Sequence, residues 1–264
     1  MALQKSASSF LKLLRKSNHL ATLEEDDCHQ ISQVHRLALA IKMKFSISLL
    51  AAALAVTTTA SPIALDVTEG DVLSRRAVGT TANEFLDSGC KDLIFIYARG
   101  TGQSGNLGEM PGPAVANGLK SALGTNSVAA QGVTYAAAQA SNLLAGGCKA
   151  SEAKTMAALI TQAATQCPQA AIAVAGYSLG APMVHRSVEQ LTTAVKARVG
   201  AAVTFGDTQN AQDGDRIPGF DTGKTLILCN TGDRVCDGTL QITSAHLDYS
   251  GKVDDAVDFI VSKV

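Results

Sequence analysis

Ser178 stands at the centre of Gly176-Tyr177-Ser178-Leu179-Gly180, a G-x-S-x-G pentapeptide. Serine in that pattern is a candidate nucleophile for acyl transfer, provided that a strand runs into it and a helix runs out. The flanks meet the condition: the apolar run 171–175 precedes the turn, and APMVHRSVEQL follows it with helical character. The two glycines leave room where a side chain would strike the neighbouring strand and helix, so Ser178 is expected to be held up as an exposed nucleophile. An ordinary strand-to-helix turn is the plainer reading of the same residues.

A serine nucleophile needs a base, and within 77–264 the sequence offers His185 and His246. His185 follows Ser178 by two turns of one predicted helix, about 10 Å, which is beyond hydrogen-bond reach. It therefore reads as a helix-surface or satisfied packing histidine, and His246 is left as the base. The carboxylate that orients the imidazole should lie between serine and histidine in chain order, where Asp207, Asp213, Asp215, Asp221, Asp233 and Asp237 all fall. Asp233 is favoured because Cys229 and Cys236 bracket its loop and a bridge between them would hold it rigidly. Asp237 is the local rival, and Asp213 and Asp215 read as a solvated turn beside Gly214.

These residues need elements to position them. Apolar runs at 92–97, 128–135, 171–175, 201–205 and 225–229 alternate with helical patterns at 113–123, 151–166, 182–197 and 253–264. Ser151 is the expected N-cap of the second helix, and 77–90 reads as an irregular lead-in. Strands alternating with helices predict an α/β fold, a three-layer α/β/α sandwich around a mainly parallel five-stranded sheet. No insertion is long enough for a lid, so an open, shallow site is expected. Gly100-Thr101-Gly102-Gln103-Ser104-Gly105 matches the dinucleotide fingerprint G-x-G-x-x-G, but a phosphate-binding loop should enter its helix at once, whereas 106–113 contains two prolines, and no acidic residue occurs from 111 to 150. Dinucleotide binding is therefore set aside.

Composition excludes more than it selects. With 264 residues, 46% hydrophobic content and a net charge of −1, the chain supports one well-buried domain. Aromatics are 4% with no Trp, and there is no basic patch or zinc-ligand spacing, so neither nucleic acid nor a metal or other cofactor is expected. From Met43, MKFSISLLAAALAVTTTASPIA has the order of a secretory signal, with an apolar core too short to span a bilayer comfortably. We read 1–42 as an extension from a mis-assigned start, the alternative being a long leader; 43–60 as signal peptide; 61–76 as propeptide ending at Arg75-Arg76; and 77–264 as the mature domain. A secreted, extracellular monomer without stable membrane insertion is expected. Secretion permits disulfides: Cys229 and Cys236 are the natural local pair, while Cys90 has both Cys148 and Cys167 open to it.

CKDLIFIYARGTGQSGNLG, GYSLG, CNTGDRVCDG and the His246 of SAHLDY, in this order and spacing, resemble the fungal cutinase family, which also contains acetylxylan esterases. The resemblance covers 90–264 and implies a lidless α/β-hydrolase with Ser178, Asp233 and His246 as its triad. It further implies Thr101 and Leu179 as the oxyanion hole, Asn142 as support for the oxyanion side chain, and disulfides Cys90–Cys167 and Cys229–Cys236. Cys148 is then a free thiol or an intermolecular link. The family usually carries Gln at the place of Leu179 and a small residue at that of Pro182, so altered polarity at the rim of the site is expected here. Leu143, Leu144, Leu240 and Ile242 fall at positions resembling the family's substrate-facing loops, though ordinary core would account for them equally. The implied activity is a serine esterase acting on cutin-like aliphatic polyesters and short-chain acyl esters. An acetylxylan esterase is disfavoured by the sparse aromatics, and a non-catalytic surface or elicitor protein by the complete set of triad candidates.

Overall fold

The run Leu93–Ala98 (β1) is buried along its whole length and sends alternate side chains to opposite sides. Leu93, Phe95 and Tyr97 enter one apolar cluster, and Ile94, Ile96 and Ala98 enter another. A strand apolar at every position needs cover on both faces, and that requirement alone makes the architecture three-layered. A computed structural model describes residues 77–264; the readings for 1–42, 43–60 and 61–76 lie outside the described residues.

The lead-in is not wholly irregular: Glu84–Ser88 (α1) is a short helix, and Asn83 bridges to Gln131. After β1 come Gly112–Leu123 (α2), Val128–Gly132 (β2), Ala150–Gln166 (α3) and Ala171–Tyr177 (β3). Then follow Gly180–Gln190 (α4), Thr193–Arg198 (α5), Val199–Phe205 (β4), Asn210–Asp213 (α6), Thr225–Leu228 (β5), Ser244–Leu247 (α7) and Val253–Val261 (α8). The single helix expected over 182–197 is two, because Thr192 turns extended and its hydroxyl accepts from the Val195 N–H, capping a new start. Ser151 does not cap α3; Lys149 precedes its first residue, and no side chain closes that end.

The sheet order is β2-β1-β3-β4-β5, and every adjacent pair is parallel. One apolar cluster unites Val115 and Leu119 of α2 with Ile260 of α8; the other unites Met156 and Ile160 of α3 with Val184 of α4. From β1 the chain steps outward to β2, then crosses back to β3 on the other side. The loops leaving β1 and β3 therefore diverge, and a crevice opens at the carboxyl ends of these two strands. The register Ala98 against Gly176 brings the Arg99–Gly105 loop beside the Ser178 turn. Gly100–Gly105 leads into turns and not into a helix, for α2 begins only at Gly112.

Candidate active site

Strand β3 ends at Tyr177, and Ser178 takes φ 54°, a left-handed conformation that a non-glycine residue adopts only under constraint. The glycines on either side make that turn sterically possible. A Cβ on Gly176 would lie 2.1 Å from the Gly180 carbonyl oxygen, and one on Gly180 would lie 2.0 Å from that of Ala98. The Ser178 N–H donates to Phe205 O of β4 at 2.9 Å, which fastens the turn to the sheet. Ser178 is 8% exposed, less open than the sequence led us to expect, and it is reached through a cleft of about 860 Å³.

His246, on α7, faces the serine. Its Nε2 lies 3.0 Å from Ser178 Oγ, and its Nδ1 lies 2.9 Å from Asp233 Oδ2. Asp233 Oδ1 accepts from the Val235 N–H at 3.0 Å. Both the imidazole and the carboxylate are buried. Asn230 stitches their loops together, its Nδ2 donating to Ala245 O at 2.9 Å and to Asp248 O at 2.7 Å. Tyr177 stacks on the imidazole with centroids 5.4 Å apart, and its hydroxyl donates to His246 O at 2.8 Å. Burial and then the charge of Asp233 push the Tyr177 phenol up to about 12, so it remains a donor.

On the opposite wall, Asn142 Nδ2 donates to Thr101 Oγ1 at 3.1 Å, leaving the threonine proton free to turn toward the cleft. The Thr101 loop is braced by Gln103, which accepts from the Gly100 N–H at 2.9 Å and donates to Met110 O at 2.7 Å. Leu179 immediately precedes α4, so its N–H has no acceptor within the helix and sits at the positive end of the helix dipole. The Leu179 side chain is fully buried among apolar residues, and Pro182 is buried in the first turn, where its missing N–H costs nothing. Neither departure reaches the rim, which corrects the expected change in rim polarity.

Leu143, Leu240 and Ile242 line the cleft and are 77%, 47% and 55% exposed, so they are not core; Leu144 is exposed beside it but does not line it. Leu247, Met110, Val235, Thr208 and Gln103 also line the cleft, and the sequence reading missed them for want of any motif. The remaining candidates lie elsewhere. Asp237 pairs with Arg234 at 3.6 Å on the surface. His185 is fully buried between Asp207 and Asp213, and Asp213 also accepts from Arg186, so the solvated turn read for Asp213 is corrected to an ion-paired one. Asp215 does lie in a turn, accepting from Asn210 Nδ2 at 2.8 Å. The disulfides are Cys90–Cys167 and Cys229–Cys236, and Cys148 is free. Cys148 is buried, and burial pushes its thiol up to about 11, which disfavours the reactive thiolate. Among the described residues no group of His, Cys, Asp and Glu could hold a metal ion, and no helix is long and apolar enough to cross a membrane.

A parallel sheet that presents serine, imidazole and carboxylate in line at its switch point defines the class: an α/β-hydrolase-type serine esterase. The family profile described as Cutinase matches residues 89–264. A cutinase of Pyricularia oryzae is 54% identical over 222 residues, covering 84% of this chain and 100% of that protein. Cutinase 1 of Fusarium vanettenii is 38% identical over 218 residues, covering 80% and 93%. Among solved structures, Trichoderma reesei cutinase in complex with a phosphonate inhibitor matches with a TM-score of 0.63 at 32% identity, covering 74% of this chain and 84% of that one. An acetylxylan esterase matches with a TM-score of 0.53 at 22% identity, covering 66% and 99%, a likeness of fold. The chain belongs to the cutinase family and is a carboxylic ester hydrolase of the serine type.

Proposed function

We propose that the protein is a secreted esterase that cleaves aliphatic polyesters of the cutin kind and short-chain acyl esters through an acyl-enzyme on Ser178. The observation that carries the reading is the unbroken chain Ser178 Oγ to His246 Nε2 at 3.0 Å and His246 Nδ1 to Asp233 Oδ2 at 2.9 Å, at the floor of an apolar-rimmed cleft. Ser178 Oγ attacks the ester carbonyl carbon while His246 Nε2 takes its proton, and Asp233 stabilises the imidazolium. The carbonyl oxygen becomes an oxyanion facing the Leu179 N–H and the hydroxyl and N–H of Thr101; each preorganised donor is worth about 3 kcal/mol. Collapse breaks the bond to the alcohol, which leaves with the proton from His246. Water then attacks the acyl-enzyme with His246 again as base, releasing the acid and restoring Ser178. Two disulfides in the described domain support secretion, since such bonds persist in oxidising compartments.

A serine-directed phosphonate followed by peptide mapping tests the assignment. Labelling is expected at Ser178, and Ser178→Ala should lower kcat for p-nitrophenyl butyrate by about 10⁶-fold. Label elsewhere, or a variant as fast as the parent, would overturn it. Acetate release from xylan outpacing butyrate ester hydrolysis would reverse the order of substrates.

A further inference from the structure

The hydrogen-bond chain through Asp233 has a further member. Tyr249 is fully buried, and its hydroxyl lies 2.6 Å from Asp233 Oδ2, the same oxygen that faces His246 Nδ1. An ionised carboxylate only accepts, so Tyr249 is the donor there. Its own oxygen accepts from the Asn230 N–H at 3.1 Å, which fixes the direction of the phenol proton. The ring is wedged edge-on against Phe205 and tilted against Tyr177, the residue that stacks on His246. Burial, and then the bond to Asp233, hold this phenol well above its ordinary range, so its proton remains through the alkaline limb of activity.

We propose that Tyr249 is a positioning residue of the esterase reaction: by sharing Asp233 Oδ2 with the imidazole, its hydroxyl sets how basic His246 is and keeps it aimed at Ser178. The inference rests on the reading of Ser178, His246 and Asp233 as the reacting set. Two donors draw on one oxygen's charge, so removing the phenol leaves a more basic carboxylate that holds an imidazolium more strongly. His246 then stays protonated to higher pH, where it is unable to take the serine proton. Ser178 stands in front of the ring and Tyr177 is stacked on it; Glu109 lines the cleft but accepts from the Ser104 N–H, and Arg234 and Asp237 pair with each other on the surface. None of these reaches Asp233 Oδ2, the oxygen that Tyr249 shares with the imidazole.

Tyr249→Phe keeps the ring and removes the bond. The acid limb of kcat/KM for p-nitrophenyl butyrate is expected to move up by about 1 pH unit, with kcat at pH 7 about tenfold lower and KM nearly unchanged. Replacing Tyr249 with 3-fluorotyrosine, a more acidic phenol and better donor, is expected to move the limb down. This second protein carries the test if the phenylalanine variant does not fold. NMR titration of the His246 ring in Ser178→Ala, with and without Tyr249→Phe, should show the same upward shift. A tyrosine that only fills space would lower the melting temperature and leave the limb and the ring titration in place, which would overturn the inference. If Ser178→Ala is as active as the parent, the reacting set itself is wrong. If that variant is inactive and the limb does not respond to position 249, the role of Tyr249 alone fails.

Discussion

Gly206 follows β4 directly, beneath His246, and its conformation decides where the imidazole can rest. It takes φ 54°, and a Cβ there would lie 2.8 Å from His246 Cε1 and 2.9 Å from Nδ1. Gly206→Ala should therefore push the ring off the Ser178–Asp233 line while adding about 1 kcal/mol of backbone strain. The expected outcome is a kcat about 100-fold lower on p-nitrophenyl butyrate, in a protein that still melts cooperatively within several degrees of the parent; an unchanged kcat would count against any steric role. Nothing in the sequence marks Gly206, because the contact spans forty residues and depends on how β4 meets α7. Ser178, His246 and Asp233 were legible for the opposite reason. The serine carries its own local motif, histidines are scarce, and the cysteines frame the aspartate. Tyr249 sits three residues beyond His246, between Asp248 and Ser250, and carries no motif of its own, so its contact with Asp233 shows only once its hydroxyl is placed.

Helix α4 and the segment behind it are joined by a buried ion cluster. His185 Nε2 meets Asp207 Oδ2 at 2.8 Å, and Nδ1 meets Asp213 Oδ2 at 2.7 Å. Each ring nitrogen thus faces a carboxylate oxygen, so the ring is held at both ends. Burial works against ionisation of Asp207, but His185 together with the Gln209 N–H, which donates to Oδ1 at 2.9 Å, holds the carboxyl below its ordinary value of 3.8. A depressed carboxyl stabilises the fold above its ordinary value and loses that contribution as pH falls below it. Asp207→Asn should accordingly cost about 3 to 5 kcal/mol at pH 7, seen as a melting temperature lower by roughly 10 °C. The gap should stay constant down to about pH 4 and narrow below that; a gap independent of pH would show that packing and not charge is lost. The five strands and their parallel pairing were legible, because strands alternating with helices need the crossover connections of a parallel sheet; the order β2-β1-β3-β4-β5 was not. The break between α4 and α5 was not, since both halves share one apolar periodicity and only the Thr192 cap separates them. The ion cluster was equally hidden: its members lie on separate elements, and charged residues in turns ordinarily face water.

At the scale of the whole molecule, structural constraint and function divide between the two ends of the sheet. Cys90–Cys167 closes a span of 77 residues and restrains the unfolded chain strongly, whereas Cys229–Cys236 closes 7 and serves chiefly to hold the Asp233 loop. The cleft opens among Leu143, Leu240, Ile242 and Leu247, each about half exposed or more, and among the described residues no lid covers them. Isolated surface aliphatic side chains are commonplace, but three leucines and an isoleucine around one opening make a patch suited to an apolar solid. Residues 77–264 carry 13 Lys and Arg against 16 Asp and Glu, a net charge of −3, too small for long-range electrostatics to dominate adsorption, so contact with the polyester substrate proposed above would come from these side chains. Burying two of them contributes about 2 kcal/mol, or roughly 30-fold in surface occupancy. Leu143→Ser combined with Ile242→Ser is therefore expected to slow release of acid from an aliphatic polyester film by about that factor. Hydrolysis of soluble p-nitrophenyl acetate, whose acyl group is too short to reach the rim, should fall by no more than about threefold. The film rate of the parent should also be insensitive to added salt. Equal losses on film and soluble ester would mean that the rim shapes the catalytic cleft and plays no part in adsorption.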